Sequence, residues 1–296
     1  VAQTDYAGGF EILLAVSNVD AADRIQSANL ALAGRLPGVR VLSLDMSEFN
    51  YARVNNAAAR QALGDVLLLL NDDVEPIRPD WLHRMVEYLC CDDGETADIV
   101  GARLLYGNRM VQHGGVIMGL GNLCEHGFRL SRRGDAGPHG VALLDRQVSA
   151  VTGACMLIRR ALYDALGGMD ESFAVALNDV DLCLRAGRRG ARVVFAAGVE
   201  LLHYESLSLG RHYSGTRAAL EGFEVRRLRQ RWQAAIADDP FYSRAASLEP
   251  GREFQPGFPM RLTVLSWISA EPIVPGFGLT KDDVALAPQS RYLTDG

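Results

Sequence analysis

Lysine is almost missing from this chain: of its 30 basic residues only Lys281 is a lysine, the rest being arginine. Positive charge is in deficit as well. Thirty Lys plus Arg against 36 Asp plus Glu leave a formal charge of −6, the wrong balance for a polyanion binder, so nucleic acid is not an expected partner. The five cysteines, Cys90, Cys91, Cys124, Cys155 and Cys183, form no C-x-x-C pair. Their odd number suits reduced thiols and a cytoplasmic setting better than a disulfide framework. No run approaches the roughly 18 apolar residues of a membrane span, and no basic, apolar, then small-residue leader opens the chain. Any membrane contact is therefore expected to be peripheral. The first residue is Val1 rather than Met, so the sequence is expected to be a piece of a longer chain with other domains.

What the sequence does have is core. With 296 residues, 48% of them apolar, it can fold as one large domain or two small ones. Glu11 to Val16 reads as a strand, and Asp20 then caps a helical segment to Ala33. Val39 to Leu44 repeats the strand signal. Asn50 precedes an Ala-rich helix expected to end at Gly64 in a left-handed turn. Val66 to Leu70 (VLLLL) is apolar at every position, as in a central parallel strand covered on both faces. Pro79 opens a further helix, PDWLHRMVEYLC. Beyond Asp98 the apolar runs shorten and glycine turns multiply. Helices are expected at Arg160 to Leu166, Asn178 to Arg188 and Thr216 to Ile236, with two short strands, ARVVF and ELLHY, between the last two. The β, α, β, α alternation makes this an α/β fold with a Rossmann-like, mostly parallel sheet flanked by helices.

Ligands of open parallel sheets bind beyond the carboxyl ends of the strands, where VLLLL delivers Asn71, Asp72 and Asp73. Two adjacent carboxylates with an amide are hard ligands for Mg²⁺ or Mn²⁺; an Asx turn with Asp73 as a cap is the plainer alternative. In Asn178-Asp179-Val180-Asp181, residues two apart point to nearly opposite sides of a helix, so Asp179 and Asp181 cannot share one cleft. Asp181 precedes Arg185 by four residues, the spacing of a surface ion pair. Asp179 is left as a candidate general base or an N-cap. His203 would complete an oxygen-rich metal site if the fold brought it near Asp73. His113 and His126, each beside glycine, line an acceptor groove or simply pack there. The arginines of EVRRLRQRW read as a solvated face.

Taken in order, NNAAARQALGDVLLLLNDDVEP, WLHRMV, VGARLLY, VQHGGVIMG, VSAVTGACMLIRR, GGMDESF, NDVDLCLRAGRRGARVVF and LLHYES resemble the family 2 glycosyltransferases of GT-A fold. The bacterial rhamnosyltransferase-like members are the nearest match. The likeness runs from about Thr4 to Arg261 and includes RQRW followed by DPFYSRAASL. It implies a GT-A domain over residues 1–215, with residues 216–296 as a C-terminal helix and extended tail packed on it. It also implies an inverting, metal-assisted transfer of a sugar from a nucleotide-diphosphate donor to a hydroxyl of a glycan or lipid-linked acceptor, in polysaccharide or cell-envelope synthesis. Asn71-Asp72-Asp73 is similar to the family's D-x-D segment, which makes Asn71 and Asp72 nucleotide contacts and Asp73 the metal ligand. Asn178-Asp179 resembles the pair whose Asp deprotonates the acceptor, and His203 matches a histidine that reaches the metal. Thr152-Gly153-Ala154 matches a turn beside the donor sugar.

Two departures stand out. The family's first strand would precede Val1; its place is expected to stay unpaired or to be filled by Arg261 to Ser269. Ser17 stands where the family usually has an Asp that reads the base or ribose, with Asn18 as a compensating neighbour. These departures give weight to a second expectation, a catalytically degenerate domain kept for binding or scaffolding.

Overall fold

The computed structural model describes residues 4–17, 24–46, 48–90, 96–204 and 215–258. It opens with strand β1 (Ile12–Ser17), helix α1 (Arg24–Ala33) and strand β2 (Val39–Leu44). β1 and β2 pair in parallel from Ile12 opposite Val39 to Ser17 opposite Leu44. Helix α2 (Tyr51–Ala59) follows, with Asn50 as N-cap accepting the Arg53 N–H. The helix stops well before Gly64. Its end is satisfied by the Arg160 guanidinium, which donates to Ala59 O at 3.0 Å and Gly64 O at 2.6 Å, so no left-handed glycine is needed to close it.

Next come β3 (Val66–Leu70), β4 (Val74–Pro76), α3 (Trp81–Glu87), β5 (Ile99–Leu105), β6 (Val111–His113) and the β7 (Val116–Met118) to β8 (Cys124–His126) hairpin. The rest is β9 (Arg146–Gln147), β10 (Cys155–Arg159), α4 (Arg160–Ala165), α5 (Asn178–Arg188), β11 (Val193–His203) and α6 (Gly215–Ala237). The main sheet has seven strands in the order β3-β10-β5-β11-β4, with β6 on β5 and β9 on β11. It is mixed rather than mostly parallel: β5 and β11 run together, whereas β3, β10 and β4 each meet their neighbours antiparallel. The segments ARVVF and ELLHY are one strand, β11, whose register shifts between Ala196 and Glu200. A bulge here takes up the extra residues that read as a turn.

Side chains alternate across this sheet, as the two-residue period of a strand requires. Ile99, Met156, Ile158, Val193 and Phe195 face one core, shared with α2, α5 and α6 through Ala52, Leu182, Leu228 and Trp232. Val100, Ala102, Leu157, Val194 and Ala196 face a second core against Trp81, Leu82 and Met85 of α3. This is a helix, sheet, helix sandwich, the expected α/β architecture. β3 departs from its expected place. Among the described residues it pairs only with β10, antiparallel, and no strand joins it to β1, which lies in a separate two-stranded sheet. Leu70 is accordingly 44% exposed. An all-apolar run says that both faces are near apolar neighbours, but not which way those neighbours run. Residues 261–269, expected as a filler strand, lie outside the described residues, as does Asn18.

Candidate active site

The carboxyl end of β3 is tied to the amino end of β10. Asn71 N–H donates to Ala154 O at 3.0 Å, so the turn Thr152-Gly153-Ala154 is fixed beside Asn71, Asp72 and Asp73. That turn is also fastened to α5. Gly153 N–H donates to Asp179 Oδ2 at 2.8 Å, and Val180 N–H donates to Asp179 Oδ1 at the same distance. The carboxylate is thus oriented by two backbone donors at a helix N-terminus, and each oxygen keeps a further lone pair free. The residue before α5, Leu177, sits in the left-handed region with φ 61° and offers no side-chain cap, a local strain of the kind that functional loops carry.

Tyr51, the first residue of α2, bridges the two acid positions. Its hydroxyl donates to Gly153 O at 2.9 Å and lies 3.3 Å from Asn71 Oδ1. Burial, then the negative charge of Asp179, pushes the Tyr51 phenol far above its usual range, so it acts as a donor and not as an acid. Asp179 also acts on the Cys124 thiol, which burial first and this carboxylate second push up to about 12. Gly153 leaves little room for a side chain. A Cβ there would lie 3.2 Å from Tyr51 Oη and 3.5 Å from Asp179 Cβ.

His203, the last residue of β11, lies opposite Val74 of β4, and the next residue donates its N–H to Asp73 O at 3.0 Å. This backbone pairing brings His203 Nε2 to 3.0 Å from Asp73 Oδ1. The Nδ1 side of the ring meets Gln112 Oε1 at 2.7 Å and the Nε2 side meets Asn71 Nδ2 at 3.4 Å. Gln112 Oε1 can only accept, so Nδ1 carries a proton, and Nε2 faces both Asp73 Oδ1 and the Asn71 amide. Asp73 Oδ1 is buried and faces His203 Nε2. A carboxylate oxygen and an imidazole nitrogen thus converge, a pair that could hold a cation. The carboxylate oxygen suits Mn²⁺ or Mg²⁺ and the imidazole nitrogen favours Mn²⁺ of the two, and 3.0 Å matches the edge between adjacent ligands around an ion with bonds of about 2.1 Å. Among the described residues no group of three or more His, Cys, Asp or Glu side chains forms a metal cage, so the remaining positions would fall to substrate oxygens and water.

The other expected residues divide. Asp72 is exposed, and neither it nor Ser17, the last residue of β1, makes one of these hydrogen bonds. Asp181 does pair with Arg185, at 2.7 Å, but not on the surface: it is 0% exposed and also accepts from Arg231 at 2.8 Å and Trp232 Nε1 at 2.9 Å. The arginine stretch of α6 is correspondingly less solvated than its charge run suggests. His113 is fully buried and takes the packing role, accepting the Thr152 N–H at 3.4 Å and meeting His126 at 2.7 Å. Tyr51 and Gln112 carry no motif that marks them in the sequence; only their neighbours, the Asn50 cap and His113, attract notice.

The sequence profile described as "Glycosyltransferase like family 2" matches residues 1–235. The O-antigen biosynthesis protein RfbC of Myxococcus xanthus is 37% identical over 210 residues, 70% of this chain and 16% of that protein. The N-acetylglucosaminyl-diphospho-decaprenol L-rhamnosyltransferase of Mycobacterium tuberculosis is 37% identical over 67 residues, 23% of this chain and 22% of that protein. The chain spans between 16% and 26% of the length of the curated relatives it matches. In structure it is similar to GalNAc-T7 solved with UDP, GalNAc and Mn²⁺, with a TM-score of 0.53 and 15% identity over 77% of this chain and 44% of that one. Among the described residues no helix is long and apolar enough to cross a membrane. On the sequence profile and the shared architecture together, this chain belongs to the family 2 glycosyltransferases and has the GT-A fold.

Proposed function

We propose that the chain transfers a sugar from a nucleotide-diphosphate donor to a hydroxyl of a glycan or lipid-linked acceptor, with inversion at the anomeric carbon. The observation that carries this reading is the continuous path Asp73, His203, Asn71, Tyr51, Gly153, Asp179, which joins a cation-seeking pair to an oriented carboxylate at one end of the sheet. Asp179 accepts the proton of the attacking hydroxyl through a lone pair that its backbone donors leave free. Gly153 and Val180 hold that carboxylate in place, and Tyr51 holds Gly153. Asn71 approaches the nucleotide, with Asp72, Ser17 and Asn18 as the further donor contacts and Gly153 and Ala154 beside the sugar. Asp73 and His203 hold Mn²⁺ or Mg²⁺, whose charge when bound offsets that building on the diphosphate leaving group. The same reading puts the chain in the cytoplasm, at the inner membrane face when its acceptor is lipid-linked.

Calorimetric titration with a panel of nucleotide-sugars, with and without Mn²⁺, tests this proposal. Binding that requires both the metal and Asp73 supports it, and no binding at millimolar concentration contradicts it. That second outcome would favour the scaffolding reading, for which the separation of β1 from β3 among the described residues is the specific observation. Release of phosphate or pyrophosphate without any acceptor would favour hydrolysis instead.

A further inference from the structure

Helix α6 grips the polypeptide just before Asp179. Glu224 is 1% exposed, and its two oxygens accept separate backbone donors, Val175 N–H at 2.9 Å and Ala176 N–H at 3.0 Å. Those two residues lead directly into Leu177, with its left-handed backbone, and then into Asn178 and Asp179. Ala174 O in the same loop accepts Tyr51 N–H at 2.8 Å, so the loop also seats the start of α2. Four and then seven and eight residues beyond Glu224, on the same helical face, Leu228 enters the core while Arg231 and Trp232 hold Asp181 from the far side. The first turn of α5 is thus clamped from two points on α6, one ahead of Asp179 and one behind it.

A carboxylate is an expensive group to bury only to fasten a loop, because its charge must be matched by donors. Here each oxygen meets a peptide N–H that α5 could not itself satisfy, since these residues lie upstream of the helix and Leu177 gives it no side-chain cap. We infer that Glu224 is a positioning residue for the transfer reaction: by holding Val175 and Ala176 it sets the strained Leu177 and hence where the Asp179 carboxylate meets the acceptor hydroxyl. This makes α6 a working part of the site and not an appendage to the sheet. The inference rests on Asp179 as the base, and its test separates the two.

The test is a double-mutant cycle on the full chain, using the nucleotide-sugar that supports turnover in the titration panel. Glu224→Gln replaces one acceptor oxygen by an amide that repels a backbone N–H. It is expected to lower kcat by about 10-fold to 100-fold, as displaced catalytic groups do, with the donor KM within about 2-fold and faster amide exchange at Val175 and Ala176. In an Asp179→Asn background the same change should cost nothing further, because effects through one residue do not multiply. Should Glu224→Gln fail to fold, Glu224→Asp, with the same charge on a shorter stem, takes its place in the cycle. Unchanged kcat in the Glu224 variant, or a loss that multiplies with that of Asp179→Asn, overturns the positioning role. Full activity of Asp179→Asn alone overturns the base assignment instead.

Discussion

Asp179 Oδ2 accepts the backbone N–H of Gly153 at 2.8 Å, and through that bond the N-terminus of α5 is fastened to the turn that enters β10. Neither residue could define a site alone. A lone Asp in the first turn of a helix is most often a cap, and here Asp179 does accept the next N–H of its own helix. Its second oxygen reaches across to another element, and that reach makes it part of a site shared by α2, β3, β10 and α5.

Tyr51 is the bridge whose removal is least disruptive in volume. Tyr51→Phe deletes the bond to Gly153 O and leaves that carbonyl without its donor. A loss of about 1 kcal/mol in stability is expected, with kcat reduced by roughly 10-fold as the turn beside Asp179 loosens. Thermal melting and steady-state kinetics measure both. A variant with wild-type kcat would mean that the Thr152 to Ala154 turn is held well enough without the phenol.

The ring of His203 is aimed by Gln112, whose oxygen accepts a hydrogen bond from Nδ1–H. Partners of this kind fix the tautomer of metal-binding histidines and are worth about 10-fold to 100-fold in metal affinity. Gln112→Leu should weaken Mn²⁺ binding by that factor, read by paramagnetic resonance titration in the presence of the nucleotide-sugar identified by calorimetry. Unaltered affinity would indicate that His203 does not hold the ion.

The ion pairs that join α6 to the loop before α5 have their own pH signature. Burial alone would raise the Asp170 carboxyl, but the Ser172 hydroxyl and N–H together with the Arg231 guanidinium outweigh it and hold the group well below the usual carboxylate range. A folded-state value below the unfolded one contributes stability at pH above about 4, which is lost as pH falls further. Asp170→Asn should therefore melt lower than the wild type at pH 7, with the gap closing as pH drops from about 4 towards 2. A gap independent of pH would assign the effect to packing.

Much of this site is legible in the sequence because its chemistry is local. The opposite directions of Asp179 and Asp181 follow from the helical period, and the structure has the first beside Gly153 and the second buried against Arg231 and Trp232. The burial of Asp181 was not legible, since its spacing to Arg185 fits a surface pair equally well; only the distant α6 makes it an interior one. Strand directions were hidden for a similar reason. VLLLL has the same composition whether its neighbour runs with it or against it, and β10 runs against it. Tyr51, Gln112 and Glu224 act through one or two hydrogen bonds each to residues 20 or more positions away, a kind of contact that leaves no periodic or spaced trace.

The most direct measurement is the turnover of Asp179→Asn alongside its donor affinity, made on one preparation with Mn²⁺ and the nucleotide-sugar identified by titration. A fall in transfer of about 10²-fold to 10⁴-fold is expected, with donor binding within about 2-fold of the wild type. Transfer at the wild-type rate would contradict the proton-accepting role of Asp179 and, with it, the joint action of the two ends of the site.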